Sequence, residues 1–296
     1  MKFSLLPIAL LAAPFVYAGA PPPDVPPAPD TVCPADVSSV IQGGPWAFQL
    51  RSPAFDPQTS TAAVGTFTAK PNGVLSAILT VSNANAAVMR RAEAPGRYIL
   101  YPNCTGGEVM IMLNGFAAQL EFVWTNNFTQ MLFVADELNP RYGGTTILIG
   151  NAKRGPTACP AGLGNPLNIL NATTWSYQLF AGYFPQGGFG GGGSASVGTL
   201  RPYVQGSLGL LKAIDTTVAE TSPNDSTAVY RLAELGGRYL IYGDCSGGEI
   251  MLMNRRPGSL QLEFVFVGTN FDEMYFLADD ASSAGDVSMV GQAYRY

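Results

Sequence analysis

The chain has 296 residues, only 12% of them are charged, and the formal net charge is −5. It has no basic patch, so we expect no nucleic-acid partner. It has no histidine, which excludes Ser-His-Asp and Cys-His catalytic sites and every His-ligated metal site. We therefore expect neither a cofactor nor a metal centre.

The first residues have the pattern of a secretory signal peptide. Lys2 supplies the positive end, residues 5–15 are apolar, and Val16-Tyr17-Ala18 is a small-residue cleavage site. This predicts a signal peptide over 1–18, with Ala20 as a competing site, and a proline-rich leader over 19–32. No later apolar run reaches the ~18–20 residues of a membrane span. We expect a secreted protein, extracellular or at the cell surface.

Short strands between turns dominate the rest of the sequence. In the first half we predict strands at 46–51, 63–68, 74–81, 87–91, 97–101, 108–113, 119–125, 129–135 and 145–152. Turn residues such as Pro95-Gly96 and Asn126-Asn127 separate them. An antiparallel meander of eight or nine strands closes into a barrel, because closure removes exposed edges. A two-sheet β-sandwich is the alternative all-β fold.

The chain contains an internal repeat. GRYILYPNCTGGEVMIM at 96–112 recurs as GRYLIYGDCSGGEIMLM at 237–253, with ten of seventeen positions identical. Matching flanks extend the repeat and predict two homologous modules, 33–154 and 159–296, joined by a linker at 155–158. Each module is long enough for its own core.

The four cysteines occupy equivalent positions in the two modules. In a secreted chain they predict disulfides, and the repeat selects Cys33–Cys104 and Cys159–Cys245. Loops of this size are worth ~4 kcal/mol on the chain-entropy model. Free buried thiols are the alternative.

Glycosylation sequons fit the same compartment. Asn127, Asn171 and Asn224 each begin an Asn-x-Ser/Thr triplet and are predicted acceptors. Asn103 also begins one, but the triplet overlaps Cys104, so we do not expect it to be used.

Alternation of apolar and polar residues predicts which side chains point inward. These inward residues are candidates for lining a ligand cavity, and packing alone is the alternative interpretation. The candidates in module one are Trp46, Phe122, Trp124, Met131 and Phe133. Their counterparts in module two are Trp175, Phe264, Phe266, Met274 and Phe276.

Two carboxylates recur on adjacent predicted strands. Glu108 and Glu121 reappear as Glu249 and Glu263, and such a pair can act as acid and base in glycoside hydrolysis. The competing interpretation is structural pairing with Arg90 or Arg97, so we predict no catalytic residue.

Gly44-Pro45-Trp46 at the first strand and Arg154 at the last resemble the lipocalin signature, in which a Gly-x-Trp packs beneath a late arginine. Module two has Trp175 and Arg295, but Thr173 replaces the glycine. The resemblance implies a calycin-type barrel whose mouth admits a small apolar molecule. A Trp–Arg stack that merely closes the barrel floor is the alternative. The general style is similar to small secreted proteins of filamentous fungi.

We therefore predict a secreted, non-enzymatic binding protein with two lipocalin-like barrels, for a small apolar or amphipathic ligand. A structural or cell-surface glycoprotein with solid barrels is the alternative, and a carboxylate-based glycosidase is the third hypothesis. The oligomeric state is not predicted.

Overall fold

The computed structural model describes residues 37–52, 61–83, 86–113, 116–138, 148–181, 194–219, 228–253, 260–278 and 290–296. Residues 35–296 form one compact unit. The predicted signal peptide, the leader, Cys33 and Asn224 lie outside the described residues. In the described part, no helix is both long and apolar enough to cross a membrane.

Two closed antiparallel barrels of eight strands follow one another along the chain. Barrel one consists of β1 (Trp46–Arg51), β2 (Thr61–Ala69), β3 (Val74–Asn83), β4 (Ala86–Leu100), β5 (Gly106–Leu113), β6 (Phe116–Thr125), β7 (Gln130–Leu138) and β8 (Ile149–Arg154). Barrel two consists of β9 (Trp175–Ala181), β10 (Ser194–Gln205), β11 (Leu208–Ala219), β12 (Ala228–Ile241), β13 (Gly247–Met253), β14 (Leu260–Val267), β15 (Glu273–Ala278) and β16 (Val290–Arg295). The all-β prediction of two tandem meander barrels is confirmed, and the sandwich is excluded.

The strand count is eight because β4 runs without a break through Pro95-Gly96, where the sequence predicted a turn. Gly96 lies between close neighbours: a Cβ there would come within 2.4 Å of the Met110 carbonyl oxygen. The glycine therefore permits tight packing of three strands instead of ending one of them.

The two barrels share one register. Trp46 pairs with Arg154 across β1 and β8, and Trp175 pairs with Arg295 across β9 and β16. Because of this common register, matching positions of the first and last strands face the same way in both barrels, and each barrel has its own apolar core cluster.

A short helix, α1 (Val37–Gln42), closes the floor of barrel one. Ile41 is fully buried in the core, and the Trp46 indole nitrogen donates to its carbonyl at 2.9 Å. The Arg154 guanidinium lies 4.2 Å from the Trp46 ring centroid and donates to the Val40 carbonyl. Gly44, at φ 147°, makes the turn from helix to strand that only glycine adopts easily.

A 3₁₀ turn at Pro166–Ile169 closes the floor of barrel two instead. Tyr239 donates to the Leu167 carbonyl at 3.0 Å, and the Trp175 indole donates to the Thr173 hydroxyl at 2.7 Å. Burial raises the pKa of Tyr239 to about 12. The hydroxyl of Thr173 therefore makes the contact that a backbone carbonyl makes in barrel one.

The Cys159–Cys245 disulfide ties the entry of barrel two to its centre and confirms that prediction. Cys104 is also disulfide-bonded, but its predicted partner Cys33 lies outside the described residues.

The barrels pack against each other through outward-facing residues. An apolar cluster joins β1 and β2 of barrel one to β14, β15 and β16 of barrel two. Its members are Ala47, Ala62, Val64, Val265, Val267, Tyr275, Leu277 and Val290, all buried.

Polar contacts surround this cluster. Lys153 binds both carboxylate oxygens of Glu273 at 2.8 and 2.9 Å, and the Asn151 amide donates to the Tyr275 hydroxyl at 2.9 Å. Arg91 forms an ion pair with Asp244 at 3.3 Å. The predicted module boundaries at 154 and 159 stay predictions, since both barrels belong to one compact unit.

Candidate functional site

The residues predicted to line a ligand cavity all belong to the interior clusters. In barrel one, Phe122 contacts Trp124 edge-on at 5.1 Å between ring centroids, and Trp124 lies 5.5 Å from Trp46. Met131 is fully buried and Phe133 nearly so, while Trp124 is partly buried. The structure therefore brings these five side chains together, facing inward.

The counterparts in barrel two repeat the arrangement. Phe264 contacts Phe266 at 5.2 Å and Phe276 at 6.1 Å, and Trp175 and Met274 are fully buried. Side chains with no accessible surface leave no water-sized space beside them, so the interior of barrel two is packed at its five predicted positions. Ligand binding by these ten residues stays a prediction.

The recurring carboxylates lie on the outer surface of the sheets. Glu108 faces Glu121 across β5 and β6, and the Tyr101 hydroxyl lies 3.4 Å from a carboxylate oxygen of each. The Gln119 amide donates to Glu108 at 3.4 Å. A tyrosine and an amide thus hold the pair, and this arrangement does not favour a glycosidase.

The equivalent group in barrel two is covered by barrel one. Tyr242 donates to Glu263, which is 3% exposed, and the Arg91 guanidinium lies 3.6 Å over the Tyr242 ring. Burial, and then the hydrogen bond to Glu263, raise the pKa of Tyr242. The same motif is therefore open in one barrel and part of an interface in the other.

One buried carboxylate was not anticipated from the sequence. Asp215 is 2% exposed inside barrel two, where it accepts hydrogen bonds from the hydroxyls of Tyr177 and Ser196. A β-bulge follows it in β11. A comparison of the two repeats could have revealed this carboxylate, because barrel one has the apolar Leu79 at the matching position.

A groove between the two barrels is a concave surface on the described residues that could take a ligand. It encloses about 450 Å³ and is lined by β1, β7 and β8 of barrel one and by β9 and β16 of barrel two. Small-molecule sites usually occupy ~300–1,000 Å³ and often lie between domains.

The walls of the groove are chemically mixed. Leu132 and Phe180 are exposed apolar side chains on its sides. Gln49, Asn151 and Gln292 supply amide groups, and the buried Gln49 Oε1 accepts no hydrogen bond from the described residues. Arg51 adds an exposed guanidinium at the end of β1. This combination suits a molecule with an apolar body, hydrogen-bonding groups and a negative charge.

Sequence reasoning missed this groove because its residues face outward on strands whose inward neighbours carry the repeat. Arg51 and Phe180 occupy matching positions in the two barrels, and a guanidinium is replaced there by an aromatic ring. Such a difference between repeats was the available signal.

Two predicted glycosylation sites lie in described turns. Asn127 is exposed between β6 and β7 at φ 51°, and Asn171 is exposed with its Oδ1 accepting from the Val204 amide at 3.1 Å. Modification of either stays a prediction. Within the described ranges, no three His, Cys, Asp or Glu side chains converge to hold a metal ion.

No protein-family model matches the chain, and no curated protein matches it either. Solved structures with a similar arrangement do exist. One is a protein of unknown function from Nostoc punctiforme, 12% identical, covering 88% of this chain and 98% of its own, with a TM-score of 0.25. Another is transferrin binding protein B from Neisseria meningitidis, 10% identical, covering 80% of this chain and 53% of its own, with a TM-score of 0.28.

Kievitone hydratase from Nectria haematococca is a third, 9% identical, covering 85% of this chain and 88% of its own, with a TM-score of 0.25. The names of the second and third state different functions, and the name of the first states none. At these identities and superposition scores no function is transferred to this chain.

Proposed function

We propose that the protein binds a small amphipathic, negatively charged molecule in the groove between its barrels. The observation that carries the proposal is the 450 Å³ groove, whose walls combine exposed apolar side chains with amides and the Arg51 guanidinium. A pocket with mostly apolar walls and a few polar groups is the usual form of a small-molecule site.

The barrels serve as rigid walls in this proposal. Their interiors are packed by aromatic side chains, and eight strands can be filled completely in this way. We assign each barrel a lipocalin-like architecture, supported by Gly44, Trp46 and the stacked Arg154 in barrel one. Modules 33–154 and 159–296 are the corresponding structural repeats.

Secretion belongs to the same proposal. The Cys159–Cys245 disulfide favours an oxidising compartment, and the signal-like first 18 residues supply the route. Expression of the full chain in a eukaryotic host, followed by N-terminal sequencing from the medium, should give a mature chain that begins after Ala18 or Ala20. A chain retained inside the cell with Met1 intact would contradict the proposal.

Fluorescence titration with anilinonaphthalene sulfonate, an anionic apolar dye, tests the groove. We expect one saturable site per chain with a dissociation constant of ~1 µM, on the order of −8 kcal/mol. Arg51→Gln and Phe180→Ala should each weaken binding about tenfold, the equivalent of ~1.4 kcal/mol. Arg201→Gln and Ile99→Ala change exposed residues away from the groove and should leave binding unchanged.

The stoichiometry distinguishes the groove from the barrel interiors. Two sites per chain, insensitive to Arg51→Gln and altered by Trp124→Ala, would support the interior site and contradict the groove. Absence of saturable binding, together with a large loss of stability in Trp124→Ala, would leave the structural glycoprotein as the better function.

A further inference from the structure

The contact between the barrels joins two different surfaces. Barrel one contributes the outer side of β1 and β2, which we name the front face, and barrel two contributes the outer side of β14 and β15, which we name the back face. Since the barrels are homologous, each barrel has a front face and a back face. Among the residues that the structure describes, one front face and one back face are in contact with each other.

The unused front face belongs to barrel two. Val197 in β10 matches Val64 in β2; Val64 is fully buried, whereas Val197 is 54% exposed. Ser176 and Ala195, which match the buried Ala47 and Ala62, are exposed as well. Barrel two therefore presents a copy of the docking surface with nothing from its own chain against it in the described residues.

The unused back face belongs to barrel one. Val123 in β6 matches Val265; Val265 is 7% exposed and Val123 is 48% exposed. Leu132 and Val134 in β7 match Tyr275 and Leu277, which are fully buried, and both are 45% exposed. The apolar character of the face is retained; Leu132 borders the groove, and nothing in the described part of the chain covers Val123 or Val134.

The two ion pairs of the internal interface have neutral residues at the matching positions of the unused faces. Within the chain, Lys153 of β8, the strand next to the front face, pairs with Glu273 of the back face. At the matching positions Tyr294 replaces the lysine and Gln130 replaces the glutamate.

The second ion pair has changed in the same way. Arg91 and Asp244 form it within the chain, and the matching positions hold Leu232 and Asn103. The residues that match each pair are neutral, so neither ion pair leaves an unpaired charge on the unused faces. Glu121 keeps the carboxylate of the buried Glu263, and the Tyr101 hydroxyl lies 3.4 Å from it. Exposed apolar patches without charges at their centre are typical of protein interfaces.

We propose that the front face of barrel two binds the back face of barrel one in a second copy of the same chain. The contact repeats the internal one, so barrels follow one another in a single series across copies. Such an interface is heterologous, and it produces rings or open chains of copies instead of closed two-fold dimers.

Analytical ultracentrifugation of the mature, oxidised protein, with N-glycans removed enzymatically, tests the proposal. Over a concentration range of roughly 1 µM to 1 mM, the wild type should shift from monomer to dimer and then to larger species. Val197→Asp and Val123→Asp should each abolish the shift, and neither residue lines the groove.

Mixing the two variants gives the sharper result. Each variant retains one intact face, so an equimolar mixture should form a dimer that grows no further, although each variant alone stays monomeric. Ile99→Asp is the control, because Ile99 and its counterpart Leu240 are both exposed and belong to neither face. It should assemble like the wild type.

Two results would overturn the proposal. One is a wild type that remains monomeric over the whole concentration range. The other is assembly that either survives both face variants or is lost equally in Ile99→Asp. Circular dichroism and urea unfolding of every variant establish that loss of assembly is not loss of folding.

Discussion

At the scale of single residues, the interior of barrel two differs from that of barrel one in one polar group. Tyr177, Ser196 and Asp215 stand where barrel one has Phe48, Ala63 and Leu79, all buried. The three substitutions are coupled, because both hydroxyls donate to the same carboxylate. A buried carboxylate is retained only when such partners are present.

Asp215→Leu alone should therefore destabilise the protein, because it leaves two buried hydroxyls without this acceptor, at about 1–3 kcal/mol. The triple variant Tyr177→Phe, Ser196→Ala, Asp215→Leu reproduces the apolar set of barrel one. It should recover most of the loss, since a buried polar network is often replaceable by apolar residues. Urea unfolding measures the free energy of unfolding of the single and the triple variant. A neutral single variant, or a triple variant worse than the single one, would contradict the coupling.

At the scale of elements, the strands and their inward faces could be predicted because alternation and the repeat report the same property. Phe122 and Phe133 had to share a side once both strands were recognised. The continuity of β4 could not be predicted, since Pro95-Gly96 has the composition of a turn and only the packing against Leu75 and Met110 explains it. Helix α1 was missed because six residues carry too little periodicity.

The floor of barrel one depends on one arginine that connects a helix, a strand and an indole. Arg154 stacks on Trp46 and donates to carbonyls of Val40 and Gly44. Burial lowers the pKa of this guanidinium, which stays charged at neutral pH.

Arg154→Gln should lower the free energy of unfolding by ~1–2 kcal/mol, because a cation–π contact alone is worth ~0.5–2 kcal/mol. The matching change in barrel two is the control: Arg295 is exposed, and Arg295→Gln should lie within ~0.5 kcal/mol of the wild type. Equal losses in the two variants would show that the stack contributes nothing specific.

At the scale of the whole molecule, an ion pair connects the barrels near their rim. Partial burial opposes ionisation of Asp244, but hydrogen bonds from Ser246 and the charge of Arg91 together lower its pKa. A carboxyl with a lowered folded pKa contributes stability above its unfolded pKa of ~3.9 and loses it as the pH falls through the folded value.

Asp244→Asn should therefore be less stable than the wild type at neutral pH, and the difference should vanish as the pH falls below ~4. Both side chains are a third to a half exposed, so the difference should not exceed ~1 kcal/mol. The substitution preserves the turn, since Asn103 already accepts from Thr105 in barrel one. Glu234→Gln, at an exposed position outside this ion pair, removes the same charge and is the control. Thermal unfolding across pH 2.5–7, a range that includes the unfolded pKa of ~3.9, measures the stability difference between each variant and the wild type.

The interface and the groove could not be predicted from the repeat, because a repeat reports what the two copies have in common. The two copies differ in the environment of their outward-facing residues. Val64 and Val197 are the same amino acid in the same register, yet one is buried and the other exposed. Only the arrangement of the barrels decides which. In the sequence, this difference appears as Tyr294 at the position that matches Lys153.

The connection between β8 and β9 affects how the two kinds of contact depend on protein concentration. Residues 155–174 join the barrels, and the Gly268 amide of barrel two donates to the Arg154 carbonyl of barrel one at 2.7 Å, so the partner faces are held close together where the covalent chain leaves barrel one. A short tether raises the effective local concentration of a partner to the millimolar range. Docking within one chain is then independent of the protein concentration, whereas the same kind of contact between chains depends on it. Dilution would release the copies from one another long before it could separate the two halves of any copy.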